Sequence, residues 1–318
     1  MSEDIVYFEK QKKIYPRSVK GRYRRLKWLA MGALLAIYYL VPWIRWDRGP
    51  HAPSQAVLID MPSRRAYFFG IELWPQEVYF LAGLMVLAAV GLFFVTSLLG
   101  RVWCGYACPQ TVWTDLFILV ERWIEGDRNA RLRLHRKSWD GEKARKRIIK
   151  WTAWLLISVA TGGAWVFYFT DAPTLLVDLL TLQAHPVAWI TILVLTATTF
   201  VFGGFAREQI CIYACPWPRI QAAMMDEDTI TIGYRDWRGE PRGKLRKGET
   251  VPTQGDCIDC MACVNVCPMG IDIRDGQQLA CITCGLCIDA CNDVMDKVGK
   301  PRDLIGYLAL TDEAAERS

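Results

Sequence analysis

The chain has few histidines, and it lacks several motifs that would point to common cofactors. Its three His residues are not spaced as paired ligands, so a haem held by two His side chains is disfavoured. No Gly-rich dinucleotide fingerprint follows a predicted strand, so no built-in flavin or nicotinamide site is expected. No cleavable signal peptide is recognised, which argues against reading the twelve Cys as the disulfide framework of a secreted domain.

Charged residues are missing altogether from four long apolar stretches. A bilayer-spanning helix needs about 20 predominantly apolar residues, and segments of this length without Lys, Arg, Asp or Glu are typical of such helices. The 14 Trp of the chain favour the same interpretation, because Trp concentrates where helices cross the headgroup layer. The predicted spans cover residues 28–44, 78–99, 151–169 and 187–206.

The Lys and Arg residues are concentrated beside these stretches. They crowd the segment before the first span and the loop between the second and third, where eleven lie from Arg122 to Lys150. The positive-inside rule therefore predicts that the N-terminus, this loop and everything after Arg207 are cytoplasmic. The net charge of +5 then needs no nucleic-acid partner.

Eight Cys near the C-terminus form two runs with the spacing C-x2-C-x2-C-x3-C, and Pro268 follows the first run. In two-cluster ferredoxins, three thiolates of each run bind one 4Fe-4S cluster and the fourth binds the other. A pair of structural zinc sites suits this spacing less well. The predicted ligands are Cys257, Cys260, Cys263 and Cys291 for one cluster, and Cys281, Cys284, Cys287 and Cys267 for the second.

The other four Cys form a repeated C-x3-C-P motif that follows the second and fourth predicted spans. Two copies of one motif make the simple packing of small apolar side chains a weaker explanation. Soft sulfur ligands favour Cu(I) or another thiophilic metal, while four thiols could also hold a further cluster or cycle as disulfides. The candidate catalytic and metal-binding residues are Cys104, Cys108, Cys211 and Cys215.

Five further sequence strings, together with both ferredoxin runs, resemble those of a known family. The chain resembles the FixG/RdxA/CcoG family of cytochrome c oxidase accessory proteins over nearly its whole length. Members of that family usually continue into another membrane helix and an external immunoglobulin-like domain. The strings are KIYPR at 13–17, PWIRWD at 42–47, GRVWCGYACPQTVW at 100–113, ERWIEGDRNAR at 121–131 and GEPRG at 239–243.

The resemblance implies a protein of the bacterial inner membrane that helps to assemble cbb-type oxidases by reducing Cu(II) to Cu(I), an oxidoreductase of the cupric reductase type. Its implied partners are a cytoplasmic electron donor, copper ions, membrane lipid, and the oxidase or its copper chaperones. Two alternatives stay open at this point. One is a quinol-linked electron-transfer subunit of a periplasmic respiratory reductase, and the other is a non-catalytic assembly factor.

The sequence thus predicts an α-helical polytopic membrane protein, with four transmembrane helices arranged as two parallel repeats. A cytoplasmic α+β ferredoxin-like domain carries two 4Fe-4S clusters. The predicted divisions are a basic N-terminal segment at 1–27, a membrane domain at 28–225, a polar linker at 226–256, the ferredoxin-like domain at 257–296 and a tail at 297–318.

Overall fold

A computed structural model describes residues 13–50, 52–244 and 254–317. The first part of the predicted basic segment and a portion of the predicted linker lie outside these residues. The helices are α1 Arg22–Leu40, α2 Val78–Leu99, α3 Val102–Tyr106, α4 Pro109–Glu125, α5 Arg128–Arg136, α6 Gly141–Val166, α7 Ala172–Leu180, α8 Pro186–Val201, α9 Arg207–Gln209, α10 Trp217–Ala222, α11 Asp236–Gly239, α12 Ala262–Val266, α13 Leu286–Val298 and α14 Leu310–Arg317. The strands are β1 Val57–Asp60, β2 Arg65–Phe68, β3 Ile71–Leu73, β4 Thr231–Tyr234 and β5 Ile305–Leu308.

Three helical segments within the described residues are long and apolar enough to cross a membrane. They correspond to the first, second and fourth predicted spans. The third predicted span is helical within α6, but α6 is not among the three. The count of four transmembrane helices and the cytoplasmic side therefore stay predictions. The three segments are Arg22–Trp43, Pro75–Leu99 and Pro186–Ala214.

Small residues let α6 and α8 pack closely against each other. A Cβ atom on Gly162 would lie 2.8 Å from the backbone oxygen of Ile192, so only glycine fits at this crossing. Ser158 is fully buried, and its carbonyl accepts a hydrogen bond from the hydroxyl of Thr196 at 3.4 Å. Small and hydroxylated side chains are typical of helix contacts in membranes, where packing and hydrogen bonds hold helices together.

At one end of the bundle, the loop after α1 forms a three-stranded antiparallel sheet in the order β1-β2-β3. The fully buried Gln55 ties this loop to the segment between α6 and α7. Its amide donates to the carbonyl of Phe167 at 2.7 Å, and its oxygen accepts from the backbone of Ala172 at 3.0 Å. The two loops predicted to be external therefore contact each other.

At the opposite end lies the cysteine-rich unit, in which helices α12 and α13 pack against each other and α13 packs against strand β5. The strands pair antiparallel, and Ile232 and Ile305 belong to the same core as Cys257, Cys263 and Cys291. The predicted boundaries are therefore wrong here. Strand β4 lies in the segment predicted as a polar linker, and β5 lies in the predicted tail. Both strands belong to the cysteine-rich unit, because their apolar residues cover the cysteine core.

Helix α13 of this unit caps the first membrane helix. The carboxylate of Asp289 accepts hydrogen bonds from the backbone N–H groups of Tyr23 at 3.3 Å and Arg24 at 2.7 Å. These N–H groups lie in the first turn of α1, where no intrahelical acceptor is available. Gly21 precedes this turn, and a Cβ atom there would lie 2.2 Å from the Asp289 carboxyl carbon. The cysteine-rich unit is thus joined to α1 by a buried polar contact.

Replacing the capping carboxylate tests this junction. Asp289→Ala leaves the two N–H groups of α1 without an acceptor. We expect the free energy of unfolding to fall by about 1 kcal/mol, which would lower the midpoint of thermal unfolding by roughly 2–4 °C. Asp293→Ala is the matched control, because Asp293 lies on the same helix and only pairs with Lys297 at the surface. Equal midpoints for the two variants would contradict the capping role.

Candidate iron-sulfur and membrane cysteine sites

The eight ferredoxin-type thiols fall into two groups in the structure. The thiol of Cys291 interacts electrostatically with those of Cys263, Cys260 and Cys257. The thiol of Cys267 interacts with Cys284 and Cys281, and that of Cys287 interacts most strongly with Cys284, Cys281 and Cys267. The fourth Cys of each run therefore lies beside the first three of the other run. This is the arrangement that the spacing predicts for two clusters.

The second group encloses an apolar cavity that fits the donor set of a 4Fe-4S cluster. Its walls are Cys267, Cys281, Cys284 and Cys287 of this group and Cys263 of the first group, together with Ile and Leu side chains such as Ile271. Four thiols around an apolar space are the ligands that such a cluster takes from a protein.

Burial keeps the metal-free thiols of Cys263, Cys267 and Cys291 protonated. It raises the pKa values of Cys263, Cys267 and Cys291 to about 12. Metal binding requires the thiolate, so cluster insertion would release protons.

No three Cys, His, Asp or Glu side chains in the described parts of the chain converge on one point as ligands of a single metal ion would. A cubane differs from a single ion because each of its irons takes one thiolate. Four thiols spread around a cavity therefore suit a cluster better than a mononuclear site.

The two membrane motifs differ at their first Cys and agree in backbone conformation at their second. Cys104 lies in the short helix α3, and Cys211 lies in a π-helical turn, Ile210–Ala214. In each motif the second Cys is extended, with ψ of 128° at Cys108 and 121° at Cys215. The following Pro restricts that residue to extended conformations. Pro109 is the first residue of α4, and Pro216 directly precedes α10.

The structure brings these two motifs together. Cys211 interacts electrostatically with Cys108, Cys104 and Cys215, and Cys104 interacts with Cys108 and Cys215. The Cys104 thiol donates to the Oε1 atom of the fully buried Gln221 at 3.2 Å. Burial raises the pKa of Cys104 to about 11, although the charge of Arg101 lowers it. We call Cys104, Cys108, Cys211 and Cys215 the membrane thiol group.

The membrane thiol group lies directly against the second ferredoxin-type group. Cys104 and Cys284 belong to one buried core, into which Cys211, Cys267 and Cys287 also pack. A Cβ atom on Gly105 would lie 2.6 Å from the carbonyl oxygen of Ile282, so the two backbones touch. The hydroxyl of Tyr106 donates to the carbonyl of Cys284 at 3.0 Å. The helix that carries Cys104 is therefore packed onto the loop that carries Cys284.

The spacing of the Cys motifs does not predict that Arg101 lies beside both thiol groups. Its side chain donates to the carbonyl of Leu279, and its charge acts on Cys104, Cys211 and Cys281. A buried cation beside sulfur ligands would stabilise thiolates on both sides of the junction. The only sequence signal for it is that an Arg begins both membrane strings, at positions 101 and 207.

Comparison with protein families agrees with this geometry. A 4Fe-4S dicluster domain model matches residues 206–309, which includes β4 and β5 as well as all eight ferredoxin-type Cys. A second model, a 4Fe-4S binding domain, matches residues 81–128 and so includes Cys104 and Cys108. The chain is a membrane protein with ferredoxin-type 4Fe-4S domains.

Three relatives are similar along nearly the whole chain. Protein RdxB of Cereibacter sphaeroides is 74% identical over 98% of this chain, and protein RdxA of the same organism is 70% identical over 96%. The nitrogen fixation protein FixG of Rhizobium meliloti is 64% identical over 97%. The chain matches the FixG/RdxA family over nearly its whole length.

The FixG/RdxA relatives are longer than this chain, which spans 65%, 64% and 59% of RdxB, RdxA and FixG respectively. No solved structure matches it. The family resemblance noted from the sequence strings is confirmed.

Single Cys variants test the crossed ligand assignment. We expect Cys291→Ser and Cys257→Ser to alter the electron paramagnetic resonance signal of the same reduced cluster, because both thiols lie in one group. Cys267→Ser and Cys281→Ser are expected to alter the other signal. The assignment fails if Cys291→Ser gives the same spectrum as Cys281→Ser.

Gly105→Ala tests the contact between the two halves. The added methyl group would overlap the Ile282 carbonyl. Overpacking of this kind lowers the free energy of unfolding by about 1–3 kcal/mol. We expect peptides that cover residues 279–285 to exchange amide hydrogens faster in this variant. Gly163→Ala is the control, because nothing lies within 4 Å of the Cβ position in α6. Unchanged exchange in Gly105→Ala would show that the backbones do not touch.

Proposed function

We propose that this chain is a membrane-bound iron-sulfur electron-transfer protein that reduces Cu(II) to Cu(I) at the membrane thiol group and so supplies Cu(I) for assembly of a cbb-type oxidase. Each copper ion takes up one electron, which a cytoplasmic donor provides. When bound, 4Fe-4S clusters accept and release single electrons. The rest of the proposal concerns what the side chains of this chain do.

The observation that carries the proposal is the packing of the membrane thiol group against the second ferredoxin-type group. Cys104 and Cys284 share one core, and the Tyr106 and Gly105 contacts hold their two elements together. A protein that only stored iron-sulfur clusters would have no need for a second set of reactive thiols at this contact. The arrangement is suited to electron delivery from one thiol group to a substrate at the other.

The first ferredoxin-type group provides a side that a donor can approach. Cys260 is exposed, whereas its three companions Cys257, Cys263 and Cys291 are buried. The exposed thiol thus belongs to the first ferredoxin-type group, whereas the second group packs against Cys104. Entry at Cys260 and exit at Cys104 would give the chain a direction for electron flow.

The chemistry of sulfur supports copper as the substrate. Thiolates are soft ligands that favour Cu(I), so they stabilise the product of the reduction over its substrate. The Cys104 thiol is protonated at neutral pH because burial raises its pKa to about 11, so metal binding there would release a proton. Arg101 would favour the thiolate that forms.

A second candidate function is that of a quinol-linked electron-transfer subunit. The observation that favours it is an apolar cavity beside the membrane thiol group, lined by Pro109, Trp113, Trp165, Phe202 and neighbouring residues. Pro109 directly follows Cys108. An aromatic cavity that includes Phe202 of a candidate membrane span is the kind of site that an aromatic, lipid-soluble ring would fill.

Anaerobic stopped-flow spectroscopy separates these functions. The dithionite-reduced protein, freed of excess reductant, is mixed with Cu(II) and with a chelator that becomes coloured on binding Cu(I). We expect cluster reoxidation to match Cu(I) formation, and the Cys104→Ser, Cys211→Ser double variant to react at least about tenfold more slowly. The double variant Ala107→Ser, Ala214→Ser is the control, because it adds hydroxyl groups beside the second Cys of each motif while keeping all four thiols.

Three outcomes would overturn the copper proposal. Reduced protein that ignores Cu(II) but is reoxidised by a water-soluble quinone would favour the quinol-linked function. Equal copper rates in the Cys and Ala variants would place copper reduction elsewhere. A fall in bound iron from about twelve to about eight atoms per chain in the Cys variant would show that the membrane thiols hold a third cluster.

A further inference from the structure

A buried network of charges lies between α4, α5, α6 and the turn at Arg207, on the same end of the bundle as the cysteine-rich unit. Its two carboxylates are already shared among several cations. Glu121 pairs with Arg131, with Arg207 at 2.8 Å and with Lys150 at 3.7 Å. Glu125 pairs with Lys150 at 2.7 Å and with Arg131 at 3.9 Å. The network therefore has more positive than negative charge before any other residue is considered.

A cavity lies beside this network, and its lining adds to the excess of positive charge. Its lining includes Lys13, Arg131, Arg147 and Lys150, together with His135, against a single carboxylate, Glu125. The cavity volume of about 160 Å³ is far above the roughly 10–15 Å³ that one water molecule requires. The space is therefore large enough for a polyatomic anion.

Arg131 carries an unused donor at this site. Its side chain has 0% exposure, and its Nη1 atom makes no hydrogen bond although it is buried. A buried guanidinium N–H without an acceptor is costly, so such a group usually faces a ligand or water. The planar fork of Arg is also well suited to phosphate oxygens.

The electrostatic effects on neighbouring groups show the same excess of positive charge. The pKa of Lys13 is lowered, first by burial and next by the charge of Lys150. The pKa of His135 is lowered by desolvation and then by Lys13, Arg147 and Lys143. Each cation therefore makes it harder for the next to keep its proton, and an anion in the cavity would relieve this repulsion.

We propose that this cavity binds the phosphate group of an anionic membrane phospholipid. The cavity connects the cations to aromatic residues on the outer face of the bundle, since Trp151 and Phe205 line it and are 40% and 50% exposed. Beyond Trp151, the exposed face of α6 continues with Leu155 and Leu156. A headgroup in the cavity would place its acyl chains along this apolar face, which a free phosphate ion would leave uncovered. Basic pockets between membrane helices are known to bind anionic headgroups.

The proposed lipid would join elements that are far apart in sequence. Lys13 belongs to the segment before α1, Arg131 to α5, and Arg147 and Lys150 to α6. A single phosphate contacting all three elements would neutralise the charges that now repel each other. Bound anionic lipid should therefore stabilise this end of the bundle without contacting any of the twelve Cys.

Native mass spectrometry and thermal unfolding of the full chain test the proposal. We expect wild-type protein to retain bound phosphatidylglycerol and to unfold at a higher temperature in phosphatidylglycerol nanodiscs than in phosphatidylcholine nanodiscs. Removal of one cation by Arg147→Gln is expected to weaken phosphatidylglycerol retention roughly fivefold. Arg147 is chosen because it is only partly buried and forms none of the ion pairs described above, so its loss should not prevent folding.

Arg145→Gln is the matched control, because it removes the same charge from an exposed position on the same helix outside the cavity lining. Equal retention in Arg147→Gln and Arg145→Gln would overturn the proposal, as would equal stabilisation by the two lipids. A third arm adds inorganic phosphate to the phosphatidylcholine nanodiscs. If phosphate alone raises the unfolding temperature as much as phosphatidylglycerol does, the site binds free phosphate and the lipid assignment is wrong.

Discussion

The close approach of Gly105 to the Ile282 carbonyl determines how the two halves of this protein meet. A backbone contact of this kind leaves no space for a side chain and allows little sliding between the two elements. Cys104 directly precedes Gly105, and a Cβ atom on Gly105 would also lie 3.2 Å from the Cα atom of Cys284. The contact therefore also sets the position of both thiol groups. The proposed electron delivery to the membrane thiols depends on this geometry more than on any single ligand.

Polar contacts around Gly105 hold the junction in one orientation. Asp289 caps α1, Tyr106 donates to Cys284, and Arg101 donates to the loop before Cys281. The Asp289 contact is buried and the other two are partly buried, where hydrogen bonds are strengthened by a low local dielectric and unmade ones are costly. The junction therefore has both the shape complementarity and the directional bonds of a permanent interface, as expected if the cysteine-rich unit and the membrane helices work together.

The cysteine motifs could be read from the sequence because metal ligation imposes short, fixed spacings. The pairing of Cys291 with the first run and of Cys267 with the second follows from those spacings. In the structure each of these two thiols lies beside the other run, and their roles as cluster ligands stay predictions. Strand β4 could not be read in the same way. Its residues 231–234 contain only four positions within a polar region, and their burial depends on β5, more than 70 residues later in the chain.

The contacts at the junction could not be predicted from the sequence either, since residues such as Tyr23 and Asp289 are 266 positions apart. Gly105 lies inside the C-x3-C-P motif and Arg101 lies shortly before it, but the motif does not say which residues face the ferredoxin-type loop. Likewise, the basic residues near Arg131 serve as a topology signal in the sequence. Only the fold shows that several of them surround one cavity.

The most direct test of the docked arrangement is a cryo-electron microscopy map of the anaerobically purified full chain in lipid nanodiscs. The account predicts two strong iron densities in the cysteine-rich unit, with the second bound by Cys267, Cys281, Cys284 and Cys287 and lying against α3 at Gly105 and Cys104. A map in which that unit is separated from α3, or in which the iron density nearest to Cys104 belongs to the group of Cys260, would contradict it.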